Sequence, residues 1–320
     1  MKKVEKLIIV GSGPAGLTAG IYTARGGLDP LIITGDMLGG HPTIATVIDD
    51  YPGFPEGIEA PKLAKLFEAQ AKRFGTRFNS GKVEKVDFSG KSFKLFVGDE
   101  ILEAQSVILA LGSAPKWLGL PTEQKLIGRG VSVCATCDGP FFRNKKVVVV
   151  GGGDSALKEV LYLAKIAQSV TLIHRRDELR GQEALQSQVK SLPNVKFVFN
   201  SEVIEILGAE KVTGVKIKNN KQSLKSSLRS DYQSGEVSEL ETDGVFVAIG
   251  YLPETEFLKG QIDLDPTGHI ILTGDTQTSV PGIFAAGDVA DSKYRQVVTA
   301  CGSGAKAALD VEKYLDSLSI

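Results

Sequence analysis

Cysteine, histidine and tryptophan are scarce: three, three and one in 320 residues. A secreted domain held together by disulfides would carry more cysteine, which excludes that class. Zinc needs four ligands, and Cys301, His41, His174 and His269 show no second metal-ligand spacing, so no metal is expected. Long hydrophobic runs are missing as well, since none approaches the roughly 20 residues that span a membrane. A signal-peptide core is also lacking: after the charged start, only Leu7-Ile8-Ile9-Val10 precedes Gly11, and no cleavage pattern follows. Nor does charge of one sign prevail. Lys+Arg number 37 against 38 Asp+Glu, a formal charge of -1, which leaves no electrostatic footprint for nucleic acid. The expectation is a cytoplasmic protein that engages neither membrane nor nucleic acid.

What the chain does have is glycine, at 36 residues, and a 42% apolar content that can fill two cores at a length too great for one. The glycines follow no collagen-like or low-complexity period, so they belong to turns and to close approaches of backbone to a ligand. Residues 7–10 predict a buried strand, 14–25 a helix and 30–34 a second strand. The same β-α-β order returns at 146–150, 154–167 and 170–173. Alternating character predicts strands at 82–88, 92–97 and 103–109, and again at 195–199, 203–207 and 212–218. The polar stretch 219–238 reads as an exposed hairpin tip or extended loop, with partner binding left open. The run 243–250, a glycine-bounded strand at 282–288 and a helix over about 295–315 complete the order. One domain inserted into another accounts for it, with crossings near 115–119 and 249–253, where Gly and Pro cluster.

Two glycine-rich loops sit where strands hand over to helices. Gly11-Ser12-Gly13-Pro14-Ala15-Gly16 follows a strand and opens a helix, the context in which G-x-G-x-x-G points to a dinucleotide. The first glycine permits the turn, the second admits a pyrophosphate to the backbone, and the third lets helix pack on strand. Phosphate oxygens then meet the positive end of the helix. The acidic residue that usually closes the second strand is absent, and Asp36 is a poorly placed substitute. A tight turn without ligand is the alternative.

Gly151-Gly152-Gly153-Asp154-Ser155-Ala156 is the G-x-G-x-x-A variant, and its second strand runs into His174-Arg175-Arg176 with Arg180 one turn later. Arginines in place of a carboxylate suit a 2′-phosphate, which argues for NADPH over NADH. The alternative is a solvated basic helix start, where the helix dipole disfavours cations unless a phosphate offsets them.

Cys134-Ala135-Thr136-Cys137-Asp138 lies just before the second loop. Cysteines two residues apart can close and reopen a small disulfide ring, storing two electrons. Half a zinc site and two structural thiols are the alternatives, but Asp138 beside Cys137 suggests proton handling during thiolate exchange. Lone Cys301, among small residues, reads as helix packing, and Trp117 as packing near a domain crossing. Spacing alone assigns no catalytic role to His41 or His269.

Taken together, these motifs resemble the low-molecular-weight, bacterial-type thioredoxin reductases. The resemblance covers nearly the whole chain. It is carried by Cys134-Ala135-Thr136-Cys137-Asp138-Gly139, by His174-Arg175-Arg176-Asp177 with Arg180, and by the run from Pro281 through Gly287 and Asp288 to Val289. Residues 51–57 and Tyr294-Arg295-Gln296 add to it. The resemblance implies an α/β fold of two Rossmann-like three-layer nucleotide-binding domains, with an NADPH domain (117–248) inserted into an FAD domain (1–116 and 249–320). It implies a homodimer that reduces the disulfide of thioredoxin through FAD and a Cys134/Cys137 redox disulfide. Cys137 would face the flavin, Cys134 would attack the partner disulfide and Asp138 would serve as acid/base. FAD would lie against Gly11, Gly13, Pro14, Ala15, Gly16, Gly40, His41, Asp50, Gly112, Gly287, Asp288, Arg295, Gln296 and Val297. NADPH would lie against Gly151, Gly153, Asp154, Ser155, Ala156, His174, Arg175, Arg176 and Arg180. The two crossings would form a hinge between half-reactions.

Three departures fall in the flavin half. Gly39-Gly40-His41-Pro42-Thr43 stands where Gly-Gly-Gln-Leu-Thr is usual, Asp49-Asp50 replaces Glu-Asn, and Ala110-Leu111-Gly112 replaces Ala-Thr-Gly. His41 is open to two readings: a group that titrates near neutrality and shifts the flavin potential, or a neutral donor. Same-fold alternatives are a reductase fed by ferredoxin, one that serves a glutaredoxin-like acceptor, and a flavin dithiol oxidase. Arg175, Arg176 and Arg180 argue against the ferredoxin and oxidase readings, which have no use for an NADPH site.

Overall fold

The computed structural model describes residues 3–45, 47–220 and 235–318. The chain divides into two compact units, Met1–Ala114 with Leu252–Ile320, and Pro115–Tyr251. The expected breaks were after residues 116 and 248.

In the first unit, parallel strands Arg77–Asn79, Leu31–Ile33, Val4–Val10 and Glu100–Leu109 lie side by side, and Ile283–Ala285 joins the last of them. Antiparallel strands Phe93–Val97 and Lys85–Asp87 extend the sheet. Val10 is in register with both Ile33 and Leu109, so three strand ends share one edge. Period-two alternation divides the first strand between two cores. Leu7 and Ile9 pack with Leu17, Phe284, Ala307 and Val311 beneath helices Pro14–Arg25 and Val297–Leu318. Ile8 and Val10 pack with Leu95, Leu109, Leu258 and Ile262 on the opposite face.

The second unit repeats the plan. Five parallel strands run in the order Val131–Ser132, Gly244–Ala248, Lys146–Gly151, Ser169–Ile173, Val195–Val198. Val147 and Val149 pack with Leu157, Val160 and Phe246 under helix Asp154–Leu163. Val148 and Val150 pack with Val203, Ile206 and Val215 of an antiparallel three-stranded sheet. The strands of the β-α-β openings lie within one residue of their expected positions, except that the first begins at Val4, three residues earlier than expected.

The second helix stops at Leu163 rather than 167. The turn that follows it is held by other segments: Asn194 Nδ2 donates to Ala164 O at 2.9 Å, and Asn144 N–H donates to Ile166 O at 2.9 Å. Helix Ala60–Arg73 had no counterpart in the sequence reading, because only Ala60, Leu63 and Ala71 are buried along it. Within the polar stretch, Gly214–Asn219 pairs antiparallel with Val237–Glu241; residues 221–234 lie outside the described residues. Among the described residues, no helix is long and apolar enough to cross a membrane.

Candidate functional site

In the first unit, the end of the opening strand, the start of the first helix and three other loops converge. Gly11 has φ +109°, and a Cβ there would meet Ala110 O at 2.3 Å; one on Gly16 would meet Gly11 O at 2.0 Å. Those two glycines are demanded by strand and helix packing alone. Gly13 is different. A Cβ there would meet nothing nearer than Gly40 Cα at 3.9 Å, so the chain itself does not require glycine at that position. Gly13 is also the N-cap of helix Pro14–Arg25 and offers it no side-chain cap, which leaves the helix's first N–H groups for another acceptor.

The neighbouring loops are tied to this turn. Gly39 N–H donates to Ser12 O at 3.0 Å, bringing Gly40 and His41 alongside, and Gly287 N–H donates to Ser303 Oγ of the last helix at 2.8 Å. Gly304 of that helix lies so close to Ala15 that a Cβ would meet Ala15 O at 2.2 Å. Pro14, Gly39, Pro42 and Val297 accordingly line one apolar cleft. Arg295 takes φ +50°, a left-handed conformation costly for a side chain of its size, just before the helix begins. Two polar atoms or groups here lack hydrogen-bond partners among the described residues. His41 Nδ1 is buried without a hydrogen bond, and burial, only partly opposed by Glu254, holds the imidazole below its usual pKa. The Asp288 carboxylate accepts no hydrogen bond, and burial pushes its pKa up to about 7. Gly112 has φ +69° and open space around it. Asp50 is exposed after strand Val47–Ile48, with no hydrogen bond to the cluster. Asp36 is exposed too, and its carboxylate is held by Lys82 Nζ at 3.2 Å.

The second unit builds its loop on the same rule. A Cβ on Gly151 would meet Ala248 O at 2.4 Å, whereas one on Gly153 would meet nothing within 4 Å. Ala156, at the third position, is fully buried. Arg180 N–H donates to Gly152 O at 2.7 Å, which lays the arginine loop along the glycine loop. Asp154 clamps the two together, accepting from Gln182 N–H at 2.7 Å. Ser155 follows Asp154 in the first turn of the helix. Arg175, Arg176 and Arg180 are exposed and make no ion pair among the described residues. His174 is 4% exposed, and its Nε2 has no hydrogen-bond partner among the described residues. Burial and then the Arg180 charge hold its pKa below the usual imidazole value. Its ring fills the space over Gly152, where a Cβ would stand 2.3 Å from ring atoms.

Cys134 and Cys137 form a disulfide with Cα atoms 5.3 Å apart. Cys134 is the N-cap of the short helix Ala135–Asp138, and its Sγ receives Cys137 N–H at 3.2 Å and lies 3.3 Å from Thr136 Oγ1. Such donors stabilise a thiolate at Cys134. Asp138 Oδ2 accepts from Ser132 Oγ at 2.5 Å, and Ser132 Oγ accepts Cys134 N–H at 3.1 Å. The site thus holds a reducible bond, a sulfur that favours charge, and a carboxylate bonded into the same loop.

A family model described as pyridine nucleotide-disulphide oxidoreductase matches residues 5–304. The chain belongs to this family. Thioredoxin reductase from Rickettsia felis (strain ATCC VR-1525 / URRWXCal2) is 47% identical over 321 residues, 99% of this chain and 100% of that relative. Thioredoxin reductase from Mycolicibacterium smegmatis is 45% identical over 313 residues, 98% and 97% of the two chains. Among solved structures, thioredoxin reductase from Streptococcus pyogenes MGAS5005 matches with a TM-score of 0.90 at 39% identity, covering 98% of this chain and 99% of that one.

In this pyridine nucleotide-disulphide oxidoreductase, several residues beyond the motifs support the site. Ser132 is one. Tyr251 donates its hydroxyl to Val133 O at 2.8 Å, next to Cys134. Glu123 is fully buried and accepts Leu118 N–H and Gly119 N–H, both at 2.9 Å, fastening the crossing segment. No short motif announces any of the three, since each partner is set by tertiary contact. Trp117 packs against the core that contains Val148 and Val215. Cys301 is buried in the last helix, where burial pushes its thiol pKa up and Tyr51 OH donates toward Sγ at 3.9 Å. His269 is buried with Nδ1 2.8 Å from Thr267 Oγ1. Among the described residues no cluster of His, Cys, Asp or Glu could hold a metal ion.

Proposed function

We propose that the chain passes two electrons from NADPH, through FAD, to the Cys134–Cys137 disulfide and on to the disulfide of thioredoxin. One observation carries the reading. A disulfide linked through Ser132 to the Asp138 carboxylate shares its unit with an open-glycine loop and three arginines that make no ion pair among the described residues. In the balanced reaction, NADPH, a proton and the partner's disulfide give NADP⁺ and the partner's dithiol.

The residues present fit both cofactors. At Gly13 the helix has no side-chain cap, and a Cβ there would meet nothing nearer than Gly40 Cα at 3.9 Å, room that suits a pyrophosphate. Asp288 accepts no hydrogen bond among the described residues and suits a ribityl hydroxyl; His41, its pKa lowered by burial and its Nδ1 without a partner among the described residues, suits a hydrogen bond. Gly11, Pro14, Ala15, Gly16, Gly40, Gly112, Gly287, Arg295, Gln296 and Val297 complete this set, and Asp50 would join it only through movement of its loop. FAD, when bound, supplies the two-electron carrier between nicotinamide and disulfide. For NADPH, Gly151, Gly153 and the helix start at Asp154, Ser155 and Ala156 would receive the pyrophosphate. Arg175, Arg176 and Arg180, beside His174, would receive the 2′-phosphate.

Once reduced, the Cys134 thiolate attacks the partner disulfide, supported by Cys137 N–H and Thr136. One partner sulfur leaves as thiolate and takes a proton. Cys137 then attacks Cys134, reforming the internal disulfide and releasing the second partner thiol. Asp138 carries the proton between the cysteines and the leaving sulfur. The reading includes a homodimer in the cytoplasm, checked by sedimentation and cell fractionation.

Anaerobic titration of the yellow protein tests the proposal. NADPH should bleach the flavin band at lower concentration than NADH, and oxidised thioredoxin should restore it. Absence of bleaching with either nucleotide refutes the proposal and favours a ferredoxin or oxygen couple. Cys134→Ser should abolish the thioredoxin step, and unchanged transfer would reverse the roles of the two cysteines.

A further inference from the structure

We infer that Ser132 is a positioning residue that holds the Asp138 carboxylate in its working orientation and lowers its hold on a proton. The inference rests on the reading of Asp138 as proton carrier. Ser132 ends the strand Val131–Ser132, in register with Phe246, and is 5% exposed. A hydroxyl has one hydrogen and two lone pairs. Cys134 N–H, at 3.1 Å, occupies one lone pair and orients the group. Two acceptors then compete for the single hydrogen: Asp138 Oδ2 at 2.5 Å and Cys134 O at 3.4 Å. Charge-assisted O–H···O⁻ bonds lie at about 2.5–2.7 Å, so the hydrogen goes to Asp138.

A directed chain results, from Cys134 N–H through the Ser132 hydroxyl to the Asp138 carboxylate. Asp138 N–H closes the ring by donating to Cys134 O at 3.1 Å. Because the hydroxyl donates to the ionised carboxylate, it favours that form. Removing it takes away a donor that favours the ionised form, so Asp138 keeps its proton to higher pH. Ser132 need not touch either substrate to do this. It acts on the proton carrier through Asp138 and holds Cys134 N–H with the same oxygen, so the attacking cysteine and the proton carrier are linked by one buried side chain.

A double-mutant cycle tests the inference in the flavin-loaded protein. The reduced protein is mixed rapidly with oxidised thioredoxin from pH 5.5 to 9, for wild type, Ser132→Ala, Asp138→Asn and the double variant. Ser132→Ala should move the carboxylate limb of the rate profile up by roughly one pH unit and slow transfer about tenfold at neutral pH. In the Asp138→Asn background, Ser132→Ala should slow transfer far less than it does in wild type, only the Cys134 N–H contact then being lost. Ser132→Thr, which keeps the hydroxyl, should restore the profile. Infrared titration of the carboxylate, independent of turnover, should show the same upward shift in Ser132→Ala. A Ser132→Ala profile that superimposes on wild type overturns the inference, as does an equal slowing with and without the Asp138 carboxylate. If Asp138→Asn alone leaves the profile unchanged, the proton-carrier reading fails first, and the two failures are separable.

Discussion

Replacing Asp288 by Asn should stabilise the flavin-free protein at pH 8 while changing it much less in acid. Asp288 follows the strand Ile283–Ala285 and Gly287, beside the first helix, and its carboxylate accepts no hydrogen bond among the described residues. Burial raises its pKa from 3.8 to about 7; Arg295 lowers it in part and Asp291 raises it further. The folded state therefore binds this proton more tightly than the unfolded chain. Between those two values the unfolded chain holds fewer protons, so the stability due to this group is full below about pH 4 and is lost as pH rises through 7. Each pKa unit is worth 1.36 kcal/mol, so the total is about 4 kcal/mol, of which roughly 2.5 kcal/mol develops between pH 5 and pH 8. An amide carries no charge to bury and should escape that loss. Urea unfolding of both proteins across this range, stripped of flavin, measures the difference directly. Adding FAD should then stabilise the wild type more than the variant, because a carboxylate accepts a hydroxyl more strongly than an amide does. The reasoning is refuted if the variant at pH 8 is no more stable than wild type, or if the two stability curves run parallel with pH.

Gly152→Ala should cost about 1–3 kcal/mol, since its Cβ would stand 2.3 Å from the buried His174 ring. Denaturant melts should show the loss, and a second change, His174→Ala, should recover part of it; a neutral Gly152→Ala refutes the packing argument. Glu123→Ala would leave the Leu118 and Gly119 N–H donors without their acceptor. Leu118 is half-buried and Gly119 exposed, so the loss should be about 1–3 kcal/mol in all, read as a lower thermal midpoint, and a change below about 0.5 kcal/mol would refute the assignment.

Much of the fold was readable because its signals are local. Four apolar residues before Gly11, and Val147–Val150 before Gly151, can only be buried strands, and the helix starts follow within three residues. Alternation along 92–97 and 103–109 marked strands for the same reason, since side chains on a pleat face opposite ways. Helix Ala60–Arg73 escaped notice because it buries so little of itself. The turn after the second helix is held by Asn194, thirty residues from the Ala164 carbonyl it binds, a partner no local signal announces. Asp36 could be doubted as a ligand from sequence, but its capture by Lys82 could not be foreseen.

The division runs through the site itself. Sequence alone determined that two strand-glycine-helix turns and one C-x-x-C pair with an adjoining aspartate would exist, because those features depend on residues a few positions apart. Only the tertiary structure decided which glycines the chain needs for itself. Gly11, Gly16 and Gly151 are required by backbone oxygens of packed neighbours, whereas Gly13 and Gly153 face space. It also decided that Asp138 answers to Ser132, and that Leu118 and Gly119 answer to Glu123. A hydrogen bond is short and directional, so its partners are chosen by where the folded backbone puts them and by nothing visible in the order of residues.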